Sequence, residues 1–460
     1  MSQQLAQPRP PILSLPVEIF HNIIALANSH PSGISIFEVI KYMQVCRYFY
    51  NVLQRTPTLW THVACVISSP DHVGRFLGGV DQAVANSRNL PLTLRLCIAA
   101  QISNDQFSSI LRRIASCGSR WEHLGVQFAG SHDPSHAERW FPHLWEMAQA
   151  VGLPNQFINV RSLCFDTFMG NTRAVLVQYS ADNWNLPQLF PNLRKAMVLS
   201  SELSHHLTST YRLPDQLSQS LEELSLKSVF HNTSLVMVRD ILARAPHLKK
   251  LSLNVYDNST FVTSAARPST ALRHTFLEEL DLEGDADFIP NQIRSIICPS
   301  LVSLRLSNEC QDEFLYQGDF VGELLALVGW PACELQSLVL DYVTCLSNES
   351  MVRLFAGLPH LNAVKISITT DPGIDERFFA MLWQRSGNGS FLPRLESFEF
   401  EVWTTFGHED YELFSGQSFA NFVEDPQRKG SGPFAHLRAA KFTLDGDTVY
   451  SSGGIHFPVI

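Results

Sequence analysis

The sequence predicts an α/β protein in which a short helical N-terminal segment precedes a long array of strands and helices with a parallel sheet. Three observations support this fold class. A six-residue pattern, apolar-x-x-apolar-x-apolar, recurs along the chain, and amphipathic helical segments separate its copies. The chain has 460 residues, which is too long for one ordinary compact core and suits two or three domains or an extended repeat array.

The strand pattern is clearest in the C-terminal half of the chain. Its copies start at residues 221, 248, 277, 301, 335, 361, 395 and 437, at intervals of 24 to 42 residues. Weaker copies are WEHLGV at 121, VRSLCF at 160 and a displaced LRKAMVL at 193. Because alternate residues of a strand face opposite sides, the leucines of each copy are expected to point into the core.

Helices are expected between these strands. The segment SLVMVRDILARA places Val238, Ile241 and Leu242 on one face, and ESMVRLFAGL and ERFFAMLWQR have the same amphipathic character. Many strand copies follow a Pro-x-Leu step, as in APHL and LPRL. Proline cannot continue a helix, so it marks the point where each helix gives way to a strand. One strand and one helix per repeat predict an α/β solenoid.

The N-terminal segment ILSLPVEIFHNIIALA predicts a first helix. Pro16 suits the first turn, Ser14 can cap it, and Glu18 suits the positive end of the helix dipole. Its apolar residues cover more than the single face that packing on one support requires. The helix is therefore either buried all round or partly reserved for a partner. FEVIKYMQVCRYFYNVL then predicts one or two further helices, and TPTLWTHV ends the unit.

Composition excludes several classes of function. The 34 basic and 44 acidic residues give a net charge of −10 with no basic block, which argues against a nucleic-acid partner. The sequence shows neither a signal peptide nor a run of about 18 apolar residues, so we expect a soluble intracellular protein, cytoplasmic or nuclear, without a membrane partner. The nine cysteines are an odd number without a CxxC pair, which favours reduced thiols.

Three segments in order, LPVEIFHNII, VCRYFYNVL and TPTLWTHV, resemble the F-box motif over residues 13–63. The family pattern is Leu-Pro-x-Glu-Ile/Leu, then an aliphatic-Cys-Arg/Lys step with aromatics after it, then Leu-Trp. The resemblance implies docking onto a Skp-type adaptor that leads to a cullin-RING ubiquitin ligase. It assigns the following residues to the adaptor-binding surface: Leu15, Pro16, Glu18, Ile19, Ile23, Val45, Cys46, Leu59 and Trp60.

Two features limit this assignment. The connection NSHPSGIS is longer than the loop usual in the family. These helices could also simply cap and pack against the rest of the protein, with Trp60 as a core residue.

The strand pattern resembles the leucine-rich-repeat family over at least residues 155–445, and the two resemblances together are similar to the fungal F-box proteins with degenerate repeats. They imply a solenoid whose outward strand residues form a concave, partner-binding sheet face. The candidate substrate contacts on that face are Glu279, Asp281, Glu283, Arg305, Asp341, Lys365 and Glu399. Their mixed charges suit a protein partner. As surface changes, charge reversals there are expected to alter stability by no more than about 0.5 kcal/mol each.

The expected organisation is therefore a disordered tail at 1–11, an F-box-like helical domain at 12–63, a linker with irregular first repeats at 64–154, the repeat solenoid at 155–445 and a C-terminal tail at 446–460. No GxSxG, Walker A, GxGxxG or HExxH motif occurs, so we expect no catalytic residue, metal or cofactor. The segment HDPSHAERW is a metal-like cluster only in composition, because its proline breaks the helical spacing.

Two functions remain open from the sequence. The first is a non-catalytic substrate receptor of an SCF-type cullin-RING ubiquitin ligase, which holds the adaptor through the N-terminal helices and a protein substrate through the repeats. The alternative is a repeat scaffold for protein interaction that is not attached to a ligase.

Overall fold

A computed structural model gives the fold of this chain. It describes residues 16, 19, 22–23, 35–129, 134–150, 156–167, 189–199, 219–230, 237–256, 270–284, 288–308, 319–329, 331, 334–342, 346–369, 374–375, 377–386, 391–403, 416–424, 436–444 and 446–452. The chain divides into two compact units, residues 1–200 and 201–460. Within the ranges given, no helix combines the length and the apolar character needed to cross a membrane.

Helices precede the first strand of the first unit. Of the first predicted helix the structure describes four residues, and Ile19, Asn22 and Ile23 among them are helical. The next elements are α1 (Ile36–Met43), α2 (Arg47–Gln54) and a 3-10 helix (Pro57–Trp60). Two helices therefore occupy the segment in which one or two were predicted.

The sheet of the first unit has five parallel strands in their order along the chain. These are β1 (His62–Ile67), β2 (Leu92–Ile98), β3 (Trp121–Phe128), β4 (Ser162–Thr167) and β5 (Lys195–Leu199). The described helices between them are α3 (His72–Asn86), α4 (Asn104–Ser116), a second 3-10 helix (Gly118–Arg120) and α5 (Pro134–Ala150). Residues 62–129 and 134–150, most of which lie in the stretch expected as a linker and irregular first repeats, form three strand–helix units that begin with β1.

Short-range chemistry explains these elements. In β2 the residues Leu92, Leu94, Leu96 and Ile98 are buried at alternate positions, as a half-buried strand requires. A capping box starts α4, because Ser103 accepts from the Gln106 backbone N–H and the Gln106 side chain accepts from the Ser103 N–H.

The helix α1 is fixed directly to the sheet and to α3. The Ser35 hydroxyl accepts from the Phe37 N–H and donates to the Ala64 carbonyl of β1 at 2.8 Å. On α3, a Cβ at Gly79 would lie 2.7 Å from the Phe37 ring, so only glycine allows this close approach. The N-terminal helices and the start of the sheet therefore form one packed structure.

The second unit repeats the same strand–helix arrangement. Its strands are β6 (Glu223–Phe230), β7 (Lys250–Tyr256), β8 (Leu272–Arg273), β9 (Glu279–Gly284), β10 (Ile296–Ile297), β11 (Ser303–Asn308), β12 (Ser337–Asp341), β13 (Ala363–Thr369), β14 (Ser397–Trp403), β15 (Ala439–Leu444) and β16 (Asp447–Ser452). Its described helices are α6 (Met237–Arg244), α7 (Phe288–Ile293), α8 (Phe320–Leu327), α9 (Asn348–Ala356), α10 (Arg377–Ser386) and α11 (Gly416–Glu424). The short strands β8 and β10 pair only with each other, and the other strands form one sheet in chain order.

The strand leucines line the core of this unit. The register aligns Leu251 with Leu280, Leu280 with Leu304 and Leu304 with Leu338, and each is at most 1% exposed. In the last repeats phenylalanine replaces leucine, and Phe419 of α11 lies 5.5 Å from Phe442 of β15 between ring centroids. The predicted α/β class and parallel sheet are confirmed.

The C-terminal strand was not predicted. β16 lies within the expected tail at 446–460 and pairs with β15 in antiparallel fashion. Gly446 allows the reversal because its φ of +85° is a left-handed conformation that glycine adopts without strain.

His274 is expected to make the stability of the second unit depend on pH. Its ring is 4% exposed, and its Nδ1 accepts from the Leu277 N–H at 3.2 Å, so Nε2 carries the proton and donates to the Ala245 carbonyl. Burial keeps the pKa of His274 below its ordinary value of 6.5. The unfolded chain therefore binds this proton more readily, and the free energy of unfolding should fall as the pH drops below about 6.5.

We expect His274→Gln to reduce this fall. Urea unfolding at about pH 7.5 and about pH 5.5 measures it, since the difference between the two free energies reports the proton linkage. His436→Gln, at an exposed histidine, is the control and should keep the difference found in the parent chain. If His274→Gln shows the parent difference as well, His274 is not the titrating group.

Candidate protein-binding surfaces

Exposed apolar side chains occur on the N-terminal helices. Ile19 and Ile23 expose 45% and 41% of their surface. Because they are four residues apart in a helix, they lie on the same face. Val45, between α1 and α2, is 63% exposed, and Tyr50 on α2 is 45% exposed. These large side chains give the short helices an apolar surface that a protein partner could cover.

Three of these four residues belong to the predicted adaptor-binding set. Two further members, Pro16 and Cys46, are exposed and partly exposed. Leu15 and Glu18 lie outside the described residues. Tyr50 was missed, although it follows the Cys-Arg step among the aromatics that the motif pattern includes.

Leu59 and Trp60, the last two members of the predicted adaptor-binding set, are buried. They are 5% and 1% exposed, and the Trp60 indole Nε1 donates to the Leu53 carbonyl at 2.9 Å. Both side chains therefore belong to this unit's own core, and their contact with an adaptor stays a prediction. The motif pattern includes a Leu-Trp pair, but a sequence pattern does not show whether such side chains touch a partner or pack inside the protein.

One face of the second unit's sheet carries polar side chains, and the strand register aligns them in two rows. The mixed row consists of Ser252, Asp281, Arg305, Val339, Lys365, Glu399 and Lys441. The acidic row consists of Asn254, Glu283, Ser307, Asp341, Ser367, Glu401 and Thr443. We call the two rows together the polar face.

Arg305 links the two rows. Its guanidinium lies 3.1 Å from an Asp341 carboxylate oxygen and 4.0 Å from one of Asp281. The Asp281 carboxylate also accepts from the Ser252 hydroxyl at 3.0 Å. At the edge of the face, Lys250 pairs with Glu279 at 2.6 Å, and this hydrogen bond raises the pKa of Lys250. In this group the two cations, Arg305 and Lys250, are paired with three carboxylates.

A second group lies on β13, β14 and β15. The Lys365 ammonium is 3.8 Å from Glu399 and 3.6 Å from Glu401, and Lys441 is 3.3 Å from Glu399. Glu399 is only 7% exposed. Its charge is therefore compensated by two lysines on neighbouring strands.

In the acidic row two carboxylates share one hydroxyl. Ser367 Oγ lies 3.0 Å from Asp341 and 3.0 Å from Glu401. Tyr342 directly follows Asp341, and burial, together with the Glu401 and Asp341 charges, raises the pKa of its phenol. The carboxylate of Glu283, partly exposed on β9, forms no ion pair or hydrogen bond with another described residue.

The seven predicted substrate-contact residues all lie on strands of this sheet, and the structure brings them together on the polar face and its edge. Contact with a substrate stays a prediction. Lys441 and Tyr342 were not among the predicted residues. Lys441 could have been found by applying the same alternation to the last strand copy, whereas the left-handed backbone of Tyr342, with φ of +58°, has no sequence signal.

The metal-like segment lies partly outside the described residues, and its His136 is a core residue. His136 is 2% exposed, is stacked on Phe107 at 4.4 Å and is hydrogen-bonded through Nε2 to Asn104 at 3.1 Å. Across the part of the chain that the structure describes, no three His, Cys, Asp or Glu side chains are grouped so as to hold a metal ion.

Comparison with known proteins does not identify these surfaces. No protein-family model matches the chain, and no curated protein matches it.

Proposed function

We propose that this chain is the substrate-receptor subunit of an SCF-type cullin-RING ubiquitin ligase. In this proposal the N-terminal helices are an F-box that binds a Skp-type adaptor, and the strand–helix repeats are a leucine-rich-repeat solenoid that binds a protein substrate. The chain itself performs no catalysis and acts by holding the substrate near the ligase. It would do so in the cytoplasm or nucleus.

The observation that carries this proposal is the exposure of Ile19, Ile23 and Val45. Each occupies a position that the F-box resemblance assigns to the adaptor, and each is more than 40% exposed while neighbouring apolar residues such as Ile36 and Leu53 are fully buried. Water contact at large apolar side chains is unfavourable by about 25 cal/mol per Å². An adaptor that covered them would remove this cost.

The packing of α1 supports the alternative, a scaffold without a ligase. Because Ser35 hydrogen-bonds β1 and Phe37 packs close to Gly79, the N-terminal helices also serve as a cap for the first strand. Repeat arrays need such caps. A role as a cap alone, however, does not explain why Ile19 and Ile23 are exposed to water.

Co-expression with a Skp-type adaptor tests the proposal. We expect stoichiometric co-purification of the adaptor with the parent chain and its loss from the double variant Ile19→Asp/Ile23→Asp, because buried carboxylates would oppose the contact. Ile158→Asp is the matched control, since Ile158 is 40% exposed and lies elsewhere in the first unit. It should retain the adaptor.

Two results would contradict the proposal. Recovery of the folded parent chain without adaptor would favour the scaffold. Equal recovery of adaptor with the double variant and with Ile158→Asp would place the contact elsewhere.

A further inference from the structure

The acidic row has a regular spacing. Its carboxylates, Glu283, Asp341 and Glu401, lie on β9, β12 and β14, and the register places Ser307 and Ser367 on the strands between them. Neighbouring strands are about 4.8 Å apart, so successive carboxylates recur at about 9.6 Å. The row contains no basic residue.

The charge of the polar face remains negative after its internal pairing. From β9 to β15 the two rows contain the carboxylates Asp281, Glu283, Asp341, Glu399 and Glu401 and the cations Arg305, Lys365 and Lys441. Arg305 and Lys365 each serve two carboxylates, and Glu283 has no cation. The side chains of Asp341 and Glu401 are only 9% and 16% exposed. Because little water screens these carboxylates, their negative electrostatic potential is stronger than at an open surface.

The negative charge and the spacing of the acidic row favour one kind of binding partner. A polyanion is repelled, whereas a chain with cationic side chains at about the carboxylate interval is attracted. In a polyproline II helix, residues three apart lie on one side at about 9.3 Å, which matches the row. A β-strand places same-side residues at about 6.8 Å and does not match.

We propose that the polar face of the second unit binds a basic segment in polyproline II conformation, with arginine or lysine at every third residue. One cation pairs directly with the partly exposed Glu283, and the next two lie over Asp341 and Glu401, which attract them through the negative charge of the row. Tyr342, beside Asp341, supplies an aromatic ring that favours a bound cation. This proposal rests on the receptor function proposed for that face and specifies the chemistry of the substrate.

Fluorescence anisotropy with three labelled nine-residue peptides tests this proposal on the full chain. The probe repeats Arg-Pro-Pro three times. One control has the same composition with its arginines adjacent at the N-terminus, and the other repeats Glu-Pro-Pro. We expect the spaced peptide to bind at least about fivefold more tightly than the clustered one, because only spacing differs between them, and the acidic peptide not to bind.

Variants locate the contact. Glu283→Gln is the cleanest substitution, because the Glu283 carboxylate has no partner to lose within the described ranges, and Glu401→Gln tests the far end of the row. Each should weaken binding of the spaced peptide by up to about fivefold, as loss of one partly solvated ion pair predicts. Glu146→Gln, at an exposed residue of α5, is the control and should bind as the parent does. Circular dichroism confirms that each variant is folded.

Equal affinity for the spaced and clustered peptides would overturn the proposal, as would unchanged binding by both row variants. The adaptor experiment is read separately. Peptide binding without adaptor binding contradicts the ligase function alone, and adaptor binding without peptide binding contradicts only the substrate chemistry.

Discussion

Trp60→Ala is expected to lower the free energy of unfolding of the first unit by about 3–5 kcal/mol. The side chain is 1% exposed, so its removal leaves a cavity among Leu53, Leu59 and their neighbours. The Leu53 carbonyl also loses the indole Nε1–H that it accepts at 2.9 Å. Urea unfolding followed by circular dichroism measures the change.

Trp121 provides the matched comparison. It is fully buried, and its Nε1 donates to the Ile114 carbonyl at 2.9 Å, again seven residues earlier in the chain. In both places a helix is followed by a 3-10 helix and a strand, with Trp60 at the end of its 3-10 helix and Trp121 at the start of β3. Trp121→Ala should therefore cost about as much as Trp60→Ala.

The adaptor distinguishes the two possible roles of Trp60. If Trp60→Ala leaves stability unchanged and removes adaptor binding, the indole is a contact residue as the F-box resemblance first implied. If stability falls and the folded fraction still binds the adaptor, Trp60 belongs to the first strand–helix unit. The second result would place the start of the repeat within the segment that the sequence assigned to the F-box.

Eight described strands of the second unit, all but β8, β10 and β16, could be predicted because their signal is local. Alternation of leucine with polar residues fixes which side of a strand is buried, and each copy from LEELSL onward coincides with an observed strand. β1 was missed because HVACVI has the alternation, through Val63 and Ile67, without the leucine pattern that identified the others. Its role depends on pairing with β2, which is not a local property.

The composition of the polar face was likewise predictable, but its energetics were not. Alternation placed Arg305, Lys365 and Glu399 on one face, since side-chain direction follows from strand geometry. Which charges pair depends on register between strands separated by whole helices and loops. The sequence therefore could not show that Asp341 and Glu399 are almost buried, and this burial leads us to expect a larger effect of charge reversal at Glu399 than at an ordinary surface position.

Glu399→Lys is accordingly expected to lower the free energy of unfolding of the second unit by about 2–4 kcal/mol, a figure below that of a fully buried pair because the lysines are partly solvated. The parent carboxylate is 7% exposed and lies between Lys365 and Lys441. The substitution replaces the attraction of Glu399 to the two lysines by repulsion among three lysine side chains, with little water to screen it. Urea unfolding at neutral pH measures the loss.

Glu396→Lys on the approach to the same strand is the control, because Glu396 is 50% exposed and its oxygen is 3.9 Å from Arg438. An exposed pair of this kind contributes little, so the control should cost no more than about 0.5 kcal/mol. Adding Lys441→Glu to Glu399→Lys restores an opposite charge beside residue 399 while Lys365 keeps Glu401, and it should recover part of the loss. Two results would show that the paired charges do not stabilise this sheet: a loss from Glu399→Lys as small as that from Glu396→Lys, or a further loss on adding Lys441→Glu. In either case the charges of the polar face would contribute nothing measurable to folding.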